Sequence, residues 1–534
     1  MDPLEPWETT RPETFFDPAL DRLELDGLRA FGATVAQVID PAVAGLEARR
    51  DRPVTDGERV EFDPAHERAG RAVWGSGVLS AGAREQAALL YLLAHAGEGG
   101  HCCPVVCTAG LVRALRVHGS PELRKRFLPP LLERDYDRAQ RGAQFLTERQ
   151  GGSDVGANLV EAVPDGDAWR LSGEKWFCSV ADADQFVVTA RPRGAPDGTA
   201  GIGCFLVPRE LGGRTNGFRI QRLKDKLGTR ALATGEIVFD DAVGYPIGAV
   251  EDGFRVAAGV VLNTSRWLNA LGSTGLMRRA YLEAARFAHV RSAFGRPIED
   301  FPLVRENLAV MKAEAQGALA STLELTELVA RIDEGTASDE DVVWHRILVN
   351  ANKFVTSIAA TAVVRRGIET LGGNGTIEDF SPLPRLYRDA IVFESWEGTH
   401  NVLCLQVLRD LSRLDALDLV TARVASLCGS EPRSRSALVD LGPRLRRSAE
   451  DPAFGALHVR RQLDRLVRIV QVGALRGSEP QSAELLARRH LVRGYEPEDD
   501  PEYEELVDAV LASDHEPGLN TTSARIATAS APDA

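Results

Sequence analysis

The sequence predicts an α+β multidomain fold, and three observations carry the prediction. Helical periodicity runs from about Leu25 to Tyr136, short β-branched and aromatic runs replace it from about Arg141 to Gly248, and long amphipathic stretches then return. The expected division is an N-terminal helical domain over 1–140, a middle β-domain over 141–250 and a helical bundle over 251–413. A helical extension over 414–495 and an acidic, flexible tail over 496–534 follow.

In the first segment, Ala87 to Ala94 and Cys107 to Val117 are rich in Ala and Leu, and Gly97 to Pro104 breaks them. Strands are expected at Ala168 to Leu171, Gln185 to Thr189, Gly203 to Val207, Phe218 to Ile220 and Glu236 to Phe239. Helical spacing resumes around Asn263 to His289. It continues through Leu308, Met311, Ala315, Leu319, Thr322, Thr326 and Val329, and again from Val342 to Leu371. No internal repeat is found. Glu496 to Ala534 is acidic and then rich in Ser, Thr, Ala and Pro, a texture of disorder.

With 534 residues, 44% hydrophobic and 26% charged, the chain can bury several cores. A net charge of −14 excludes indiscriminate nucleic-acid binding by the whole surface, because phosphates repel carboxylates. Seven cysteines at irregular spacing make no disulfide framework, and His101, Cys102, Cys103 and Cys107 lack the second ligand pair of a zinc site. No metal is expected. Met1 to Ala30 carries no signal pattern and no apolar run approaches the roughly 18 residues of a membrane span, so a cytoplasmic, membrane-free protein is expected.

Five blocks could carry chemistry. Phe145 to Asp154 (Phe-Leu-Thr-Glu-Arg-Gln-Gly-Gly-Ser-Asp) sets a hydroxyl beside glycines that let backbone N–H groups approach a ligand, although a Gly-rich turn is the plainer reading. Lys175 to Ser179 holds a Trp in a strand, by default a core residue. Arg291-Ser-Ala-Phe-Gly295 offers a guanidinium suited to a pyrophosphate, and Leu371 to Gly375 offers bare backbone. Trp396-Glu-Gly-Thr-His-Asn401, taken alone, is a helix cap.

Taken in order, these blocks resemble the acyl-CoA dehydrogenase flavoproteins. The resemblance implies a middle domain shaped like a β-barrel, FAD as cofactor, and α,β-dehydrogenation of an acyl thioester bound to CoA or a carrier protein. Glu397 would be the base that takes the α-proton, with Arg266 near the substrate. Cofactor contacts would come from Gln144, Thr147, Gly152, Ser153, Trp176, Phe177, Cys178 and Ser179, and from Trp396, Thr399 and Asn401. Arg291, Phe294, Gly372 and Gly373 would serve the flavin of a second chain, which implies a homo-oligomer, by resemblance a dimer of dimers. A flavoprotein would take the electrons onward.

Two features depart from the general pattern. About a hundred residues follow Leu414, and Trp396 stands where relatives carry Tyr, which narrows the expected acyl pocket. Gly100 to Pro104, Thr147 to Val155, Arg222 to Gly228 and Trp396 to Leu405 resemble the AidB-like branch, flavoproteins of the adaptive response to DNA alkylation. That branch implies an alternative, binding of double-stranded DNA through the C-terminal domain. Arg444, Arg446, Arg447, Arg460, Arg461, Arg465, Arg468, Arg488, Arg489 and Arg493 would supply the cations, together with Arg409. A third reading is a flavin-retaining scaffold whose extension serves only assembly.

Overall fold

Two helices of the first domain start where the sequence supplies a side-chain cap. Asp63 before Pro64 and Ser120 before Pro121 accept from the N–H groups of Ala65 and Leu123, and proline suits the first helical position. The computed structural model describes residues 12–49 and 52–512. This domain holds α1 (Leu28–Thr34), α2 (Asp40–Arg49), α3 (Pro64–Gly75), α4 (Ala83–Leu93), α5 (Cys102–His118) and α6 (Pro121–Leu131).

The middle domain is one seven-stranded sheet: β1 (Gly142–Phe145), β2 (Glu161–Asp165), β3 (Ala168–Ser179), β4 (Gln185–Pro192), β5 (Gly203–Pro208), β6 (Phe218–Leu223) and β7 (Thr234–Pro246). The order is β6-β7-β3-β2-β4-β1, and β5 pairs with both β4 and β7, which curls the sheet towards a barrel around Phe145, Phe186, Phe205 and Phe239. β3 and β7 outrun the short apolar runs of the sequence because bulges between Gly235 and Ile237 and between Phe239 and Ala242 interrupt their alternation.

The bundle comprises α7 (Asn263–Val290), α8 (Pro302–Asp333), α9 (Asp339–Leu371), α10 (Leu383–Ser395) and α11 (His400–Arg413). A capping box of Ser338 and Asp341 starts α9, and Gly372 at φ 62° ends it. By length and composition α9 could cross a membrane, but 83% of its apolar window is buried in the protein. Its apolar run is core.

The extension folds as α12 (Leu417–Cys428), α13 (Pro432–Glu450), α14 (Pro452–Leu475), α15 (Pro480–Leu491) and α16 (Tyr503–Ala512). It docks on α8 through a buried cluster in which Glu314 accepts from Arg468 Nη1 at 2.5 Å and His490 Nε2 at 2.7 Å. The expectation of a flexible tail from 496 onwards is corrected over 496–512. There α16 buries Val507 and Val510, Lys312 donates to the Val510 carbonyl at 2.8 Å, and Arg488 takes Asp500 and Glu502 at 2.5 and 2.8 Å. The acidic run reads as disorder only until the basic residues that neutralise it are in place. The remainder of that expectation, 513–534, lies outside the described residues.

Candidate active site

Between α10 and α11 the chain makes a tight turn with Glu397 at φ 58° and Gly398 at φ 100°. A non-glycine residue in this region costs of order 1 kcal/mol and persists where its surroundings over-determine it. Here they do. Arg266 Nε on α7 donates to the Glu397 carbonyl at 2.9 Å. Lys353 Nζ on α9 donates to the carbonyls of Glu394 and Gly398 at 3.0 and 3.3 Å. Gln144 Nε2 on β1 grips the Glu397 carboxylate at 2.9 Å and the Ser265 hydroxyl at 3.0 Å. Arg266 is itself held by Asn350, Asn263 and Gln406 at 2.8, 3.2 and 3.2 Å.

Desolvation pushes the Glu397 carboxyl above its ordinary range, although Arg266, Lys353 and the Gln144 amide all pull the other way. The same burial lowers Lys353 to about 7 and Arg266 to about 10. Beside the carboxylate lies a narrow cleft of about 20 Å³, lined by Leu90, Cys103, Val106, Leu268, Phe393 and Trp396. Trp396 stacks on Phe393 with ring centres 4.6 Å apart and packs against both the helical core and the β-domain core, so it closes the cleft where the two domains meet.

On the β-domain side, the pairing of β3 with β7 slips between Lys175 and Cys178. The slip turns Lys175 and Cys178 both inward at a spacing of three, leaving Trp176 partly exposed and Phe177 53% exposed. Lys175 pairs with Glu148 at 2.8 Å inside the sheet, which ties β3 to the segment carrying Thr147, and Trp176 N–H donates to the Thr147 carbonyl at 2.9 Å. A Cβ on Gly152 would stand 2.3 Å from the Thr147 hydroxyl, so the glycine shapes a cradle around that oxygen. Ser179 lies 3.2 Å from the Thr234 hydroxyl, and Ser153 is exposed on the glycine-rich segment. A ring surface, small hydroxyls and bare backbone suit a planar, polar-edged ring such as a flavin.

Two of the expected cofactor residues have their side chains engaged elsewhere. The Cys178 thiol is fully buried in the β-domain core, so its side chain meets no cofactor. The Gln144 amide is spent on the base carboxylate and Ser265.

The other expected residues separate into two groups. Thr399 sits at the N-cap of α11, yet its hydroxyl makes no cap bond and stays exposed. Asn401 accepts from Arg460 of α14 at 3.1 Å, which brings the extension onto the catalytic turn. Arg291, Phe294, Gly372 and Gly373 are all exposed, and Phe294, at 96%, lies at the tip of the hairpin formed by Ser292–Ala293 and Arg296–Pro297. Sequence reasoning missed Lys353, Phe393 and Ser265. A lone lysine in the middle of an apolar helix was the one available signal.

Three matches to known domains run along the chain. Residues 47–138 match the N-terminal domain of adaptive response protein AidB, and 143–242 and 251–412 match the middle and C-terminal domains of acyl-CoA dehydrogenases. AidB of Escherichia coli is 36% identical over 66% of this chain, and the match spans 65% of that protein. Acyl-CoA dehydrogenase family member 11 of Caenorhabditis elegans is 36% identical over 61% of this chain and 55% of its own length. The chain thus matches less than two thirds of either relative. The crystal structure of C. elegans ACDH-11 in complex with C11-CoA superposes with a TM-score of 0.82 at 28% identity, covering 91% of this chain and 93% of that one. The chain belongs to the acyl-CoA dehydrogenase family, in the branch that carries an AidB-type N-terminal domain.

Proposed function

We propose that the protein is an FAD-dependent dehydrogenase of acyl thioesters in which Glu397 removes the α-proton. One observation carries the reading: a carboxylate made more basic by burial stands at an apolar cleft, with its orientation set by Gln144. Thr147, Gly152, Trp176 and Ser179 would hold the isoalloxazine, and Arg291 the pyrophosphate of a second chain's cofactor. When bound, FAD supplies the acceptor for the hydride equivalent that leaves the β-carbon. Glu397 accepts the α-proton on its carboxylate. Its backbone N–H, without a partner among the described residues, is free to donate to the thioester oxygen as negative charge develops there. Phe393 and Trp396 line the cleft and give it an apolar wall suited to an acyl group.

The relative crystallised with C11-CoA supports a CoA thioester as the substrate class. An anaerobic titration of the holoenzyme with straight and branched acyl-CoAs, followed by flavin absorbance, tests the reading. Bleaching by at least one acyl-CoA is expected, with a rate roughly 10²- to 10⁴-fold lower in Glu397→Gln. Bleaching by Glu397→Gln at the wild-type rate would sink it.

The alternative of duplex DNA bound by the extension rests on fewer cations than the sequence offers. Asp440 takes Arg444, Arg465 and Arg493, while Asp418 takes Arg446, Glu314 takes Arg468, and Glu306 takes Arg489. Arginines already paired with carboxylates release few counterions on meeting phosphate, which leaves Arg409, Arg447, Arg460 and Arg461, with no carboxylate pair among the described residues, as the cations of that reading.

A further inference from the structure

Lys353, the only lysine of α9, is fully buried, and among the described residues no carboxylate lies within ion-pair distance of it. Both of its hydrogen bonds go to backbone carbonyls, Glu394 three residues before the base and Gly398 one residue after it, at 3.0 and 3.3 Å. Glu394 lies in the last turn of α10, where carbonyls lack helical partners. With Arg266 on the Glu397 carbonyl itself, two buried cations from neighbouring helices hold three carbonyls of one turn. An ammonium suits this place because it is a compact charge with several donors.

Resting on the reading of Glu397 as the base, we propose that Lys353 is its positioning residue: it holds the catalytic turn from both sides and supplies the counter-charge that keeps the carboxylate ionised. The groups that act on Glu397 are Arg266 from α7, Lys353 from α9 and the Gln144 amide from β1, while Glu397 itself helps push up the Cys107 thiol on α5. Glu394, at the end of α10, is engaged by Thr361 and by His400 Nε2 at 2.9 Å and acts on Lys353 in turn. Asp410 on α11 faces Arg266 and pairs with Arg346 at 2.8 Å. Arg266 and Lys353 are therefore two buried cations on the turn, neither with a carboxylate within ion-pair distance among the described residues, and Lys353 is the one that holds the turn both before and after the base.

The sign of its effect follows. A nearby cation favours the ionised carboxylate, so removing it makes Glu397 ionise at higher pH, and the acid limb of the rate profile moves up. The test is anaerobic single-turnover flavin reduction across pH by holoenzyme carrying Lys353, Lys353→Met or Lys353→Arg, with an acyl-CoA that bleaches the wild type. In Lys353→Met the acid limb should rise by roughly one pH unit. The limiting rate should fall about tenfold or more, with little change in half-saturation. Lys353→Arg should return the limb to its wild-type position. Should Lys353→Met lose flavin, Lys353→Gln, which keeps an N–H for the carbonyls but no charge, carries the same expectation for the limb. An unmoved limb in a folded, flavin-bound variant overturns this role and leaves Glu397 as the base. Absence of bleaching in the wild type overturns the reading of Glu397, and this role with it.

Discussion

The two halves expected to clasp the cofactor differ sharply within one chain. Around Glu397 the turn is held from three elements by Gln144, Arg266 and Lys353, and beside Trp176 Glu148 and Lys175 form an ion pair sealed in the sheet. Around Arg291, Phe294, Gly372 and Gly373 the surface is bare, and a phenylalanine stands almost fully in solvent. A single chain builds the turn around Glu397 on its own but leaves the segment around Arg291 and Gly372 open to solvent. A second chain, which the family resemblance implies, would cover the exposed half; a single exposed phenylalanine is in itself ordinary on a protein surface.

The largest effect is expected where the tied half is cut. Glu148→Ala strands the Lys175 ammonium in the sheet and should cost about 3–5 kcal/mol of stability, read as a lower urea midpoint and loss of flavin. The pair also sets an acid limit. Burial alone would push the Glu148 carboxyl up, but Lys175 and the Leu159 N–H outweigh it and hold it below its ordinary range. A depressed carboxylate contributes its full stability above the unfolded value of about 4.3 and loses it as pH falls through the folded one. The wild type should therefore release flavin on acidification in a step that Glu148→Ala lacks. A variant with wild-type stability and the same step would show that the pair is decoration.

A smaller, local effect should follow from Gly152→Ala. The added methyl carbon would meet the Thr147 hydroxyl at 2.3 Å and turn it away, while the exposed backbone there needs no glycine conformation. Flavin should bind roughly tenfold more weakly, with stability within about 0.5 kcal/mol of wild type. Unchanged flavin affinity, measured by fluorescence titration of the apoprotein, would remove Thr147 from the cofactor face.

How much of this was legible beforehand depended on whether a residue's role lay in its neighbours along the chain or across it. The order helix, sheet, helix showed in periodicity, and Trp176 and Glu397 stood out because their motifs are contiguous. The resemblance names Cys178 by its place after Trp176, and only the slip in strand pairing beside it shows that its side chain faces the core. Gln144 sits in an apolar strand, and only folding shows that its amide meets a carboxylate 253 residues away. Lys353 offers no signal in the sequence beyond being a lone lysine in a core helix, and its partners in the turn around Glu397 show only in the fold. The order in 496–512 depends on Arg488 and Lys312, whose proximity no local pattern encodes.

The smallest effect within the chain, and the sharpest test of the contrast, is Phe294→Ser. Phe294 is 96% exposed and touches only the edge of Phe301, with ring centres 6.1 Å apart, so the single chain should lose no more than about 0.5 kcal/mol. Its φ of 51° is held by the hairpin and is as uncomfortable for serine as for phenylalanine, so the backbone term cancels. If a second chain covers this ring, the lost apolar burial is about 2–3 kcal/mol at each contact, or roughly 30- to 150-fold weaker association. Sedimentation at falling protein concentration should then show the variant dissociating before the wild type, with flavin lost in the same range. Equal assembly and equal flavin retention would mean that the exposed half is surface, and that one chain holds its cofactor without help.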